Sequence, residues 1–178
     1  MTPGHERQDL LTLLNTERAR VLEHYDRVPL GERDVSPGPD RWSATEILEH
    51  LALTDATVIR VLRLARARGG TDSDDALAAG LNDGQAEAIR DRSRRLDAPD
   101  RVRPQAGISP QAALQHLDDE RRKLLSALSN TSDGLLDVAR LPHPALGEVS
   151  LRGWIEFLGH HDARHAAQLD DLASGFPD

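Results

Sequence analysis

The sequence predicts an all-α protein, an antiparallel four-helix bundle with a long crossover between helices 2 and 3. Hydrophobic residues make up 38% of the chain but aromatic residues only 3%. The core must therefore consist of Leu, Ala, Val and Ile, which favours helices over strands. Apolar stripes at helical spacing occur in four long segments, and four amphipathic helices bury such stripes together in a bundle. A chain of 178 residues has the size of one domain, predicted over residues 1–178.

Proline positions separate the predicted helices, because proline is excluded from helix interiors but tolerated in loops and at the first helical turn. The first helix is predicted from about Glu6 to Val28, where leucines recur at helical intervals. The internal prolines form three clusters, at Pro29, Pro37 and Pro39, at Pro99, Pro104 and Pro110, and at Pro142 and Pro144.

The second helix is predicted from Ser43 to about Arg68. Its first turn has the pattern of a capping box, in which the Ser43 hydroxyl accepts from the Glu46 amide and the glutamate reaches back to the serine amide. Two consecutive glycines, Gly69 and Gly70, end the helix.

The crossover from Gly69 to Gly107 is longer than an ordinary loop, so we predict a short helix within it, near Asp83 to Leu96. The third long helix begins with Ser109 as N-cap and Pro110 at the first helical position. It ends at the polar segment Asn130–Asp133.

The fourth long helix is capped by Ser150 and ends before Gly175 and Pro177. Its apolar stripe consists of Leu151, Ile155, Leu158, Leu169 and Leu172.

Charge and cysteine content exclude several classes of function. The 22 basic and 30 acidic side chains give a formal net charge of -8, which disfavours nucleic acid and anionic membranes as partners. The chain has no cysteine, so disulfides, Cys-ligated zinc and a thiol nucleophile of the protein itself are excluded. No segment has the length or apolarity of a signal peptide or a membrane span, which predicts a cytoplasmic protein.

Helical geometry places two histidines of the fourth helix on its inward face. At about 100° per residue, His165 lies about 40° from Leu151 and His161 about 40° further round, whereas His160 lies about 180° from Leu151 and faces outward. An i, i+4 histidine pair often binds one metal ion, as in the HExxH helix of zinc proteases. That motif's glutamate is missing from the sequence HDARH, which excludes this protease class.

The second helix offers a third imidazole at the edge of its apolar stripe, because His50 lies about 60° from Ile47. Together, His50, His161 and His165 form a candidate metal site. Three imidazoles would leave coordination positions open, as in catalytic zinc sites, and they accept nickel, zinc, copper or iron. The alternative is that these histidines are half-buried and satisfied by hydrogen bonds.

Two further residues are candidates for a supporting catalytic role. Asp162 lies on the inward face of the fourth helix, where it could orient an imidazole or form a salt bridge to an arginine across the bundle. His143 lies between Pro142 and Pro144 and could line the mouth of the site.

Three segments resemble the DinB-like superfamily of metalloproteins. The segments are RWSATEILEH at residues 41–50, APDRVRP at residues 98–104 and HPALGEVSLRGWIEFLGHHDARH at residues 143–165. The resemblance implies a four-helix bundle with a long crossover between helices 2 and 3. It also implies a divalent metal, often nickel or zinc, held by three histidines that correspond to His50, His161 and His165.

The resemblance implies two classes of function. Characterised relatives include transferases and isomerases that use low-molecular-weight thiols such as bacillithiol or mycothiol, so one hypothesis is a thiol S-transferase acting on small electrophiles with an imported thiol. A variant is a hydrolase in which Asp162 or His143 assists proton transfer from a water molecule activated by the metal. The second hypothesis is a non-enzymatic stress-response protein that binds a small ligand or a partner and forms a homodimer.

Overall fold

Helices dominate the computed structural model, which describes residues 3–68, 80–93 and 97–175. None of the helices described there is long and apolar enough to cross a membrane. The helices are α1 (Pro3–Arg27), α2 (Ala44–Arg68), α3 (Asp83–Arg90), α4 (Pro110–Ser129), α5 (Asp133–Val138) and α6 (Leu151–Ala173), and the strands are β1 (Arg140–His143) and β2 (Gly147–Ser150).

Three of the predicted helix starts, those of α2, α4 and α6, are confirmed by their serine caps. The Ser43 hydroxyl accepts from the Glu46 amide at 3.2 Å, and the Glu46 carboxylate accepts from the Ser43 amide at 2.8 Å. Ser109 and Ser150 cap α4 and α6 in the same way, each accepting from the backbone amide three residues later. These bonds satisfy amides that have no partner within their helix.

The four long helices form the predicted bundle, but two pairs of neighbours are parallel. Glu6 pairs with Arg152 and Arg18 with Asp162, so α1 and α6 run in the same direction. A hydrogen bond between residues 49 and 116 and an ion pair between residues 55 and 121 show the same for α2 and α4. The long crossover makes this possible, since a short loop joins only antiparallel neighbours. The expectation of a wholly antiparallel bundle was wrong.

The short crossover helix α3 exists but ends earlier than predicted. Asp91 already has an extended backbone, and its carboxylate accepts from the Ser93 amide at 2.9 Å. Aspartate side chains stabilise turns in this way, so the helix stops at Arg90. The expected end at Leu96 and the crossover residues 69–79 lie outside the described residues.

A β-hairpin before α6 was not predicted from the sequence. Strands β1 and β2 are antiparallel, with Leu141 paired to Val149 and His143 to Gly147. Gly147 adopts a positive φ of 72° at the turn, a conformation that glycine tolerates without strain. Leu141 and Val149 are buried in the core, so the hairpin closes one end of the bundle.

A layer of four charged side chains crosses the middle of the bundle and separates two apolar clusters. Each long helix contributes one member, and all four residues are at most 7% exposed. Each carboxylate contacts both guanidinium groups, at 2.7 to 3.3 Å. We call this set the charged layer; it consists of Arg18, Asp55, Arg121 and Asp162.

Candidate metal centre

Three imidazole nitrogens converge beside the charged layer. The Nε2 atom of His161 lies 3.2 Å from the Nε2 atom of His50 and 3.2 Å from that of His165. Among the described residues, these three side chains are the group whose ligand atoms could hold one metal ion. We call them the histidine cluster; their role as metal ligands stays a prediction.

Hydrogen bonds at the Nδ1 atoms, on the far side of each ring from Nε2, orient two of these imidazoles. His50 Nδ1 lies 2.7 Å from the carbonyl oxygen of Val102, which can only accept, so Nδ1 carries the proton. His165 Nδ1 lies 3.0 Å from the amide oxygen of Gln168 and donates to it in the same way. Both Nε2 atoms are therefore unprotonated in the neutral rings. This arrangement fixes the tautomer and aim of histidines at metal sites.

The histidine cluster fits a divalent metal ion. Two nitrogens at about 2.0–2.1 Å from a tetrahedral zinc ion lie about 3.3 Å apart, close to the observed spacing. Without a cation, the Nε2 atoms of His50 and His165 would both need the single proton that His161 can supply. Burial lowers the pKa of His50 to about 4 and those of His161 and His165 well below their usual range. The rings are therefore neutral at pH 7, as metal ligation requires.

Aromatic rings flank the histidine cluster on two sides. Trp42, just before α2, has its ring centroid 4.5 Å from that of His50 and 6.4 Å from that of His165. Phe157 stacks on His161 at 5.0 Å. The chain has only two Trp, two Phe and one Tyr, so two of its five such side chains contact the histidine cluster. These ring contacts restrict the movement of the imidazoles.

His143 lies near the histidine cluster but is separated from His161 by the ring of Phe157. Its ring centroid is 4.4 Å from that of Phe157 and 4.5 Å from that of Trp154. The Ala145 amide donates to His143 Nδ1 at 3.2 Å, so in the neutral ring Nε2 carries the proton. Burial, with a contribution from Arg101, lowers the pKa of His143 to about 4. The predicted catalytic role of His143 stays a prediction.

Asp162 belongs to the charged layer. Its carboxylate accepts from Arg121 at 2.7 Å and from Arg18 at 3.0 Å, so the salt bridge across the bundle, one of the two alternatives from the sequence, is present. Asp162 also acts on the site through space, because its charge opposes the lowering of the His50 pKa. Its predicted catalytic role stays a prediction.

Sequence reasoning missed several groups that shape the site. Gln168 is three residues after His165, so helical spacing could have identified it. The Val102 carbonyl lies in a short 3-10 turn, Asp100–Val102, and no local pattern connects that turn with His50. His160, which helical phase placed on the outward face of the fourth helix, lies outside the histidine cluster. Its Nδ1 accepts from Arg90 at 2.9 Å.

Acidification should destabilise the metal-free protein. His50 and His143 have pKa values of about 4 in the folded chain but about 6.5 when unfolded. As the pH falls below about 6.5, the unfolded state therefore takes up protons that the folded state does not. Each of these two histidines should lower the free energy of unfolding by about 2 kcal/mol at pH 5 relative to pH 7. Urea unfolding with EDTA at both pH values measures this loss.

A His143→Gln variant isolates one contribution to this pH dependence. The amide can still accept from Ala145 but does not titrate, so the variant should lose about 2 kcal/mol less between pH 7 and pH 5. Equal losses in the variant and the original protein would contradict the assigned pKa of His143.

Comparisons with known proteins agree with the fold and with the family resemblance. Residues 13–169 match the model of the DinB superfamily. An uncharacterised protein of Bacillus subtilis strain 168, YuaE, is 31% identical over 164 residues, which cover 91% of this chain and 96% of YuaE. The crystal structure of TT2238, a four-helix bundle protein, superimposes with a TM-score of 0.63 at 20% identity, covering 91% of this chain and 96% of that one.

Proposed function

Because this chain belongs to the DinB superfamily, we propose that it is a metal-dependent S-transferase that joins a low-molecular-weight thiol to a small electrophile. The observation that carries the proposal is the convergence of three neutral imidazoles, in which the Nε2 atoms of His50 and His165 each lie 3.2 Å from that of His161. Three imidazoles from two helices would hold a divalent ion, nickel or zinc, and leave coordination positions open.

The reaction needs a thiol that the protein does not contain, since the chain has no cysteine. A divalent ion at the histidine cluster would supply a Lewis acid that lowers the pKa of a thiol bound beside it. The thiol gives its proton to the solvent, its sulfur forms a bond to the electrophilic carbon, and the leaving group departs with the electron pair of the bond that breaks.

The surrounding residues of the chain have separate tasks in this proposal. Val102 and Gln168 keep the rings of His50 and His165 aimed at one point through their Nδ1 atoms. Trp42 and Phe157 restrict the movement of the imidazoles through their ring contacts. His143, with its proton on Nε2, could donate a hydrogen bond to a leaving group, and this role belongs to the proposal.

A conjugation assay tests the proposal. Protein loaded with nickel or zinc should accelerate the reaction of small thiols with monochlorobimane, in which chloride leaves and a fluorescent thioether forms. Acceleration should disappear on metal removal and in a His50→Ala variant, which lacks one candidate ligand. A His160→Ala variant should keep it, because His160 is not in the histidine cluster.

Three results would point to other functions. Absence of conjugation with every thiol of a panel would contradict the transferase. Metal-dependent hydrolysis of activated esters without any thiol would favour the hydrolase. A purified protein with no stoichiometric metal, whose ligand affinity does not change in the His50→Ala variant, would favour a non-enzymatic binding protein.

A further inference from the structure

The crossover between α2 and α4 is attached to the histidine cluster at one short turn. Residues 98–103, which we call the crossover turn, contain the 3-10 segment Asp100–Val102. Val102 is 7% exposed and is the buried residue of that segment, which packs against α2. Its carbonyl oxygen accepts from His50 Nδ1 at 2.7 Å. Val102 therefore anchors the turn on the bundle both through its apolar side chain and through its carbonyl.

The other hydrogen bonds of the crossover turn stay within the turn. Two of its backbone amides donate to carbonyls three residues earlier, at 3.0 and 3.1 Å. The side chain of Arg103 donates to the Ala98 carbonyl at 3.1 Å and pairs with Asp100. Within residues 3–68, 80–93 and 97–175, the bond from His50 is the only hydrogen bond that joins the crossover turn to another element. The attachment of the turn therefore depends on how firmly the His50 ring is held.

The members of the histidine cluster differ in what their Nδ1 atoms contact. His165 donates to Gln168, three residues further along α6, so that bond stays within one helix. The Nδ1 atom of His161 is buried and has no hydrogen-bond partner among the described residues. The acceptor of His50 is 52 residues away in the chain and belongs to a different element. Of the three, His50 is therefore the member whose hydrogen bond reaches the crossover.

A metal ion on Nε2 of His50 would strengthen the bond to the crossover turn. An acceptor on the far nitrogen of an imidazole makes the ring a better metal ligand and fixes its orientation. The converse also holds, because an ion on Nε2 withdraws electron density from the ring and makes Nδ1–H a stronger donor. Such coupling is reciprocal. The factor by which the metal stabilises the attached turn equals the factor by which the attached turn raises the metal affinity.

We infer that the histidine cluster and the crossover turn are energetically coupled: a divalent ion at the cluster holds the turn on α2, and Val102 is a positioning residue for His50. The inference rests on the metal site of the proposed function and does not depend on its thiol chemistry. The metal-loaded and the metal-free chain then differ in how firmly the crossover is attached beside the site.

Hydrogen–deuterium exchange of the metal-free and the zinc-loaded protein tests the coupling without any turnover. Zinc should slow exchange of the Val102 and Arg103 amides by about 5- to 150-fold, the usual range for coupling between two sites. Helix α3 is the internal comparison, because it belongs to the same crossover but its Arg90 bonds to His160, which lies outside the histidine cluster. The amides of α3 should exchange at the same rate with and without zinc.

Two variants of the crossover test the role of Val102. Val102→Ala removes the apolar anchor of the turn and leaves every histidine in place, and it should weaken zinc binding at least about 5-fold. Ile89→Ala is the matched control, because Ile89 is 6% exposed and lies in α3 of the same crossover. It removes a larger part of a buried side chain, yet it should leave the zinc affinity unchanged. Competition with a chromophoric chelator measures both affinities.

Failure of this inference can be distinguished from failure of the proposed function. Zinc that binds without slowing exchange in the crossover turn would overturn the coupling and leave the metal site intact. Equal zinc affinities in the two variants would overturn the positioning role of Val102. Protection of the turn by zinc in a protein that conjugates no thiol would uphold the coupling and contradict only the transferase. Absence of zinc binding would overturn both. The exchange experiment uses the unaltered chain, so it decides the coupling even if Val102→Ala does not fold.

Discussion

Replacing His161 with alanine is expected to abolish stoichiometric metal binding. The Nε2 atom of His161 lies between those of His50 and His165, 3.2 Å from each, so its loss removes the central ligand of the candidate set. Altering residues that only orient a metal ligand costs about 10- to 100-fold in affinity, and loss of the ligand itself should cost more than about 100-fold. Elemental analysis and competition with a chromophoric chelator measure the content and the affinity.

The neighbouring histidine provides the control for this experiment. His160→Ala removes an imidazole one residue away that accepts from Arg90, and it should keep about one metal ion per chain. Gln168→Ala removes the acceptor of His165 Nδ1 and should lie between the two, with a loss of about 10- to 100-fold. Equal metal content in His161→Ala and His160→Ala would show that the histidine cluster is not the metal site.

Neutralising one carboxylate of the charged layer is expected to destabilise the fold strongly. Asp162 is 1% exposed and accepts from Arg18 and Arg121, so Asp162→Asn leaves two buried guanidinium groups with one remaining carboxylate, Asp55. Removing one partner of a buried ion pair costs about 3–5 kcal/mol, because the other charge stays buried without compensation. Urea unfolding at pH 7 measures the loss. Asp55→Asn should have an effect of similar size.

An exposed ion pair provides the comparison. Asp118 pairs with Arg122 on α4, and their side chains are 72% and 67% exposed, so Asp118→Asn should change the stability by less than about 1 kcal/mol. A loss below about 1 kcal/mol in Asp162→Asn as well would mean that the charged layer does not hold the bundle together.

The same variants separate structural from catalytic roles of Asp162. Asp55 belongs to the same layer but is not adjacent in sequence to a member of the histidine cluster. If both variants are folded at the assay temperature and only Asp162→Asn loses conjugation activity, the predicted catalytic role of Asp162 is supported. Equal activity in both variants would restrict Asp162 to the fold.

Local patterns were sufficient to predict the helix starts and the inward-facing histidines. The serine caps and the glutamate of the capping box act within four residues of their own helix, so their pattern is visible in the sequence. Helical phase selected His161 rather than His160 because successive residues differ by about 100° in direction. Phase also placed His50 at the edge of the stripe of α2, where it meets the fourth long helix.

Short elements with weak periodicity were not predictable in the same way. The β-hairpin has strands of four residues, and its stability comes from Leu141 and Val149 packing on the bundle. A four-residue segment shows too few periods to separate a strand from a loop. The early end of α3 depends on a turn formed by Asp91, a choice that helix propensity does not determine.

The sequence by itself determined the four long helices, their caps and the faces that carry His50, His161 and His165, because these follow from interactions within one helix. Only the tertiary structure decided which helices are parallel, that Asp162 contacts two arginines rather than an imidazole, and that the Val102 carbonyl accepts from His50. These features join residues that are far apart in the chain, such as Val102 and His50. Their positions depend on packing across the whole bundle, and the periodicity of one segment contains no information about that packing.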